Sequence, residues 1–233
     1  MNEKLLFDNI NSADYGVFIS GENVYNAPER DVELVVVPGR NGTLAMDGKR
    51  YENIEVSIPA FADRMERFEE LRAEMLSRIG YKRLETDYHP DEFRMGVFKT
   101  GISAAPWLYN HVAEFKLVFN CKPQRFLKSG EEEVSVGATI DNPTLYTAQP
   151  VLKFTGIGSL EIGDYTLETR ENESYILDCE TMEAWSESGG SKINQNRNIV
   201  FGDDKYMAIE PGEQAVTIDG LTNVTMIPRW WTL

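Results

Sequence analysis

Only one stretch of this chain, Asp63 to Gly80, repeats its apolar residues at helical spacing. Almost everything else alternates at period two between turn-forming dipeptides. Met65, Phe68, Leu71, Arg72, Met75, Leu76 and Ile79 recur along one stripe, and all but Arg72 are apolar. Asp63 with Glu66 resembles a capping box, and Gly80 supplies a stop. The spacing predicts one amphipathic helix near 63–79 that lays its stripe on a sheet. Its outer face, with Arg64, Glu66, Arg67, Glu70, Glu74 and Arg78, mixes charges and suits solvent. The remainder has to build sheets, so the fold class is mainly β, with β-sandwich domains.

Ahead of that helix, Val32–Val37 is a β-rich run that stops at Pro38-Gly39. Asn41-Gly42 and Asp47-Gly48 follow, both dipeptides that favour tight turns because their residues tolerate positive φ. The chain then resumes a strand in which Ile54, Val56 and Ile58 share one face. The pattern predicts an elaborated hairpin whose tip carries Arg40, Lys49 and Arg50. In a chain of net charge −15, a basic tip is either a solvated loop or a contact with a neighbour. Pro38, Gly39, Arg40, Asn41, Gly42, Lys49 and Arg50 are the candidate subunit-interface residues.

Beyond the helix, Tyr81–Glu85, Phe93–Lys99 and Val112–Cys121 read as strands. In the last of these Ala113, Phe115, Leu117, Phe119 and Cys121 fall on one face. A break is expected over Cys121–Phe126, and the composition shifts at Ser129-Gly130 and Glu131-Glu132-Glu133. This places a boundary between residues 1–130 and 131–233. The second part offers short strands at Val151–Thr155, Gly158–Ile162, Tyr165–Thr169, Ser174–Cys179, Tyr206–Ile209, Gln214–Ile218 and Asn223–Ile227. That spacing indicates a β-sandwich. The polar tract Ser186–Asn198 is expected to be a loop. The aromatic end, Pro228-Arg229-Trp230-Trp231-Thr232-Leu233, is expected to be packed.

Composition removes several functions. An excess of 38 acidic over 23 basic residues opposes binding to a phosphate backbone. No apolar run is long enough for a membrane helix, and the start lacks a signal-peptide core, so folding in a cytosol is expected. Cys121 and Cys179 belong to no metal-binding pair and align with apolar neighbours, as small buried hydrophobes do. His89 lies in Asp87-Tyr88-His89-Pro90-Asp91-Glu92, a turn, and the only other histidine is His111. Asp178 and Glu180 are the best carboxylate pair for a hydrolase, although an acidic chain offers such pairs as solvated edges too. Trp107, Tyr109 and Trp185 offer aromatic faces for a sugar, or simply fill a core. No nucleophile motif and no phosphate loop is present, since Gly39–Gly42 leads into a strand. No enzyme, cofactor or metal is expected.

Taken in order, several of these segments resemble the distal tail (Dit-like) protein family of long, non-contractile-tailed bacteriophages. Asn26-Ala27-Pro28-Glu29-Arg30-Asp31 and Pro38-Gly39-Arg40-Asn41-Gly42-Thr43 look like its N-terminal signature. Gly80-Tyr81 and Tyr88-His89-Pro90-Asp91-Glu92-Phe93-Arg94 follow, then Phe119-Asn120-Cys121-Lys122-Pro123-Gln124-Arg125 at the end of the first domain. Asp178-Cys179-Glu180-Thr181 and the terminal Pro228–Leu233 complete the series.

The resemblance implies a structural virion protein at the phage tail tip, assembled in the host bacterial cytoplasm. It implies an N-terminal ring-forming β-sandwich with a projecting hairpin, commonly hexameric, and a C-terminal galectin-like β-sandwich. The implied partners are further copies of itself, the tail tube protein, a tail-associated lysin or tip protein, and in some relatives receptor-binding proteins. DNA would pass through the lumen without specific binding, kept off by acidic charge. The alternative is a carbohydrate-binding module for host cell-wall sugars. The second domain carries neither a His-x-Asn-x-Arg motif nor a matching Trp-Glu-Arg set.

Overall fold

The structure is a computed structural model that describes residues 3–21, 27–63, 67–99, 105–107 and 112–233, with backbone alone at 105–107, 112 and 204. It divides into two compact units, residues 1–125 with Leu233, and Phe126–Thr232. No helix among the described residues is long and apolar enough to cross a membrane. The chain is mainly β, as its period-two alternation requires.

The N-terminal unit contains β1 (Leu5–Phe7), β2 (Ile10–Asn11), β3 (Val17–Ile19), β4 (Arg30–Val36), β5 (Thr43–Tyr51) and β6 (Ile54–Ala62). After these come α1 (Phe68–Ser77), β7 (Lys82–Thr86), β8 (Glu92–Val97), β9 (Ala105–Trp107) and β10 (Val112–Leu127). One sheet runs in the order β2-β1-β7-β8-β10-β6-β3, with β9 also on β10. Its far strand returns to its start. Ile19 on β3 bridges Glu3, just before β1, and donates to the Glu3 carbonyl at 2.9 Å. The sheet therefore curls around one core, which holds Phe7, Leu117, Phe119 and Cys121. Phe7 and Phe119 pack with ring centroids 5.2 Å apart.

Helix α1 covers that core with Phe68, Leu71 and Met75, and Phe68 meets Phe115 edge-on at 5.0 Å. The helix is shorter than its stripe predicts. Arg67 stands at its N-cap with no side-chain cap bond, and Arg78 is already extended. Asp63 lies outside the helix, and Arg64, Met65 and Glu66 fall outside the described residues. Leu76 and Ile79 belong to the apolar stripe in sequence yet are exposed. An apolar repeat marks which residues could share a face, but tertiary contact decides where the helix stops.

Strand β10 also departs from expectation, continuing through Pro123 to Leu127 instead of ending at Cys121. Its ladder with β6 ends at Cys121↔Ile54. Pro123 thus falls where no N–H is required on that side.

The C-terminal unit has two sheets. Its strands are β11 (Val134–Ser135), β12 (Thr139–Asn142), β13 (Val151–Thr155), β14 (Ser159–Ile162), β15 (Tyr165–Thr169) and β16 (Ser174–Asp178). They are followed by β17 (Glu183–Ser188), β18 (Ser191–Asn194), β19 (Ile199–Phe201), β20 (Gly212–Asp219), β21 (Thr222–Ile227) and β22 (Trp231–Thr232). The orders are β11-β21-β13-β16-β17-β18 and β12-β20-β14-β15-β19. Leu152, Phe154 and Tyr175 from the first sheet share a core with Leu160, Ile162 and Leu167 from the second. That shared core makes the unit a β-sandwich.

Two expectations fail here. Tyr206–Ile209 is not a strand and contributes only the isolated bridge of Ile209 to Ala148. The tract Ser186–Asn198 is not a loop but the turn of the β17–β18 hairpin and a short 3-10 helix. Gly189 and Gly190 both have positive φ, 59° and 80°, as a two-residue hairpin turn requires. Its polar residues pair with one another. Gln195 Nε2 donates to Ser186 Oγ at 2.9 Å, and Asn198 Nδ2 donates to Gln195 Oε1 at 2.7 Å. Polar side chains satisfied in this way can be buried without apolar periodicity.

The aromatic end packs as expected. Trp230 is buried, Trp231 stacks on Tyr146 at 4.5 Å, and its Nε1 donates to the Thr147 carbonyl at 3.0 Å.

Candidate functional site

Strands β4 and β5 form a two-stranded sheet of their own. Opposite residues in an antiparallel pair share a face. The register Val32↔Asp47, Leu34↔Ala45 and Val36↔Thr43 gives one face, and Glu33↔Met46 and Val35↔Leu44 give the other. Both faces are largely apolar. Both are open: Leu34 is 64% and Val36 75% exposed, and Val32, Leu44 and Met46 are exposed as well. An isolated two-stranded ribbon is marginal in water. Covering each large aliphatic side chain is worth about 1.5–3 kcal/mol.

The turn lies at Val37–Gly42. Arg40 N donates to the Val37 carbonyl at 3.2 Å, Pro38 sets the first central position, and Gly39 takes φ 79° at the second. Asp47-Gly48 is not a second turn. It lies inside β5, where the register skips between Arg30↔Tyr51 and Val32↔Asp47, and Lys49 takes φ 57°. The dipeptide makes a bulge. Asp47 Oδ1 accepts from Lys49 N at 2.9 Å, and a Cβ at Gly48 would meet Asp31 Oδ2 at 2.5 Å.

The three cations therefore do not share the tip. Pro38, Gly39, Arg40, Asn41 and Gly42 are at the turn, whereas Lys49 and Arg50 lie at the far end, beside the bulge. Ion pairs hold this base together. Arg50 reaches Asp31 at 2.6 Å and Glu52 at 3.1 Å, and Arg30 clamps Asp47 with its guanidinium. The Arg30 hydrogen bond, helped by the Lys49 N–H, holds the Asp47 carboxyl below its usual range. Among the described residues Arg40 has no ion-pair partner. The apolar character of both ribbon faces is the feature that a search for charge passes over. The signal lies in the sequence, since Val32, Leu34, Val36 and Val35, Leu44, Met46 alternate on two faces, interrupted by Thr43 and Asp47 on the first and by Glu33 on the second.

The other candidates resolve into structural roles. Asp178 and Glu180 are held by one arginine. Arg229 donates to both Asp178 oxygens, at 2.8 and 2.7 Å, and lies 3.4 Å from Glu180. Burial is the largest single influence on the Asp178 carboxyl and would raise it, but the Arg229 hydrogen bonds and charge, together with the Thr181 and Glu180 N–H groups, outweigh it, and the net shift is downward. Asp178 Oδ1 also accepts from Glu180 N and Thr181 N, which closes the turn. His89 sits in a turn, accepting through its carbonyl from Glu92 N and donating its N–H to the Thr86 carbonyl. Cys121 and Cys179 are buried free thiols, pushed up by that burial to about 11 and about 12. Trp185 carries Lys192 Nζ 3.9 Å over its ring, so that face is occupied. The Trp107 side chain, Tyr109 and His111 lie outside the described residues.

No protein-family model and no curated protein matches the sequence. The fold does match solved structures. The Dit protein of phage SPP1, described as a paradigm of the hub adsorption apparatus in phages that infect Gram-positive bacteria, aligns over 100% of both chains with a TM-score of 0.76. The fold is that of a phage distal tail protein. Identity to the SPP1 chain is only 11%, so the Dit fold is carried here by patterning and not by shared residues. Chains from the phage p2 baseplate in its activated conformation also align. With strontium, the TM-score is 0.53 at 9% identity, covering 97% of this chain and 96% of that one. With calcium it is 0.54 at 8% identity, covering 97% of each. The Dit fold spans both units of the chain.

Proposed function

We propose that this chain is a structural protein of a bacteriophage tail tip, a ring whose copies are joined through the β4–β5 ribbon. The observation that carries the reading is a ribbon apolar on both faces and open on both. The full-length likeness to the SPP1 hub protein supports the same role. In this reading residues 1–130 form the ring, commonly a hexamer, and residues 131–233 form an outward galectin-like β-sandwich. The ring joins the tail tube protein to a tip protein or tail-associated lysin and serves as a hub for host-adsorption proteins. DNA passes through a lumen whose acidic charge repels phosphate. The protein acts without catalysis, in the virion.

Native mass measurement and negative-stain microscopy of the purified chain test this. The expected result is a closed ring of identical copies. A chain that stays monomeric at high concentration, alone and with the adjoining tube protein, overturns it.

A further inference from the structure

We propose that the ribbon of one copy seats on the Leu76–Tyr81 corner of the next copy. This rests on the reading of the ribbon as the arm that joins a ring. A ring of more than two copies closes through a heterologous contact, in which two different surfaces meet and every copy carries both. The ribbon is one of them, and the other must lie elsewhere on the same chain.

Among the described residues of the N-terminal unit, the exposed large hydrophobic side chains fall into two groups. One is the ribbon. The other is Leu76, Ile79 and Tyr81, at the end of α1 and in its connection to β7. Ile79 is 89% exposed. Its own copy does not cover it, because the helix ends at Ser77 and the next residue is extended.

The corner is also held in place. Asp8 lies 3.5 Å from Arg78 Nε and 3.4 Å from Lys82 Nζ, so it anchors the chain on both sides of Ile79. Asn53 Nδ2 donates to the Tyr81 hydroxyl at 2.6 Å. An apolar residue presented on a braced turn is pre-organised for docking, with little ordering left to do on contact.

Charge matches as well. Glu74, in the turn of α1 before the corner, lies beside Tyr15, whose hydroxyl it pushes up, and, among the described residues, has no cationic partner. Arg40 at the ribbon turn likewise has no acidic partner among them. The Glu74 carboxylate and the Arg40 turn complement each other, as the apolar ribbon and the apolar corner do.

Cross-linking of the full chain tests the contact. Cys121 and Cys179 are buried and stay out of the reaction. A chain carrying both Val36→Cys and Ile79→Cys is treated with a short bismaleimide, beside each single variant. The expected result is a ladder of linked chains from the double variant and single chains from the others. Both substitutions are at exposed positions, and circular dichroism with thermal melting checks that each variant folds like the parent. Linked pairs from Val36→Cys alone mean that ribbons meet one another, which overturns the corner. No ladder, while a Leu34→Lys/Val36→Lys chain has lost the native mass of the parent, also overturns the corner but leaves the ribbon reading standing. No ladder, together with an unchanged native mass for that lysine variant, overturns both.

Discussion

Arg50 Nε lies 2.6 Å from Asp31 Oδ2, across the base of its own ribbon. That bond separates two cations which look equivalent in the sequence. Arg50→Glu breaks a contact within the chain, so hydrogen exchange should quicken at the base amides of β4 and β5. Arg40→Glu leaves those amides at parental rates and weakens assembly, and the loss should shrink at high salt. Equal exchange and equal assembly for the two variants would refute the distinction.

The apolar faces are the stronger determinant. At a concentration low enough for the parent to be a single chain, Leu34→Lys with Val36→Lys should keep the thermal midpoint within about 2 °C, since exposed substitutions move stability by only about 0.5 kcal/mol. The assembled mass should collapse towards that of one chain. A variant that melts early instead would show these residues to be part of the core.

The Asp178–Arg229 pair fixes a pH dependence. A carboxyl depressed in the folded state stabilises above its unfolded value, near 3.8, and loses that contribution as pH falls through the folded value. Asp178→Asn should therefore cost about 1.5–3 kcal/mol near neutrality. The gap between parent and variant should hold down to about pH 5 and close in stronger acid. Thermal melts across pH 3 to 7 read this directly. A gap that persists unchanged at about pH 3 would mean the pair is not its source.

Gly158 in the C-terminal unit has no room for a side chain. A Cβ there would lie 2.0 Å from the Asp219 carbonyl oxygen. Gly158→Ala should lower stability by about 1–3 kcal/mol through forced backbone shifts, measured as a lower denaturation midpoint in urea. An unchanged midpoint would mean the β14–β20 edge yields freely.

The buried face of the long strand was readable in advance. Ala113, Phe115, Leu117, Phe119 and Cys121 alternate in sequence, and all are buried. Trp230 and Trp231 pack as their aromatic surface demands. The hairpin of Ser186–Asn198 is invisible to apolar spacing, although Gly189-Gly190 announces it. Its buried partners are polar, and hydrophobic alternation cannot register a core of amides and hydroxyls. Val32–Val37 is legible as a strand, whereas Thr43–Met46, set between Asn41-Gly42 and Asp47-Gly48, reads only as part of an elaborated hairpin and not as the strand it forms. Nothing in the spacing says that both faces are left open.

Local patterning by itself determined the class of fold: period-two strands between turns, and one helical stripe. It could do so because side-chain periodicity follows from backbone geometry alone. Only the tertiary structure decided that α1 stops at Ser77, that Asp47-Gly48 bulges instead of turning, and that Lys49 and Arg50 sit far from Arg40. Those outcomes depend on which distant groups arrive to compete for each residue. Asp31 and Glu52 arrive at Arg50, Arg229 arrives at Asp178, and among the described residues none covers Leu34, Val36 or Ile79, which stay exposed.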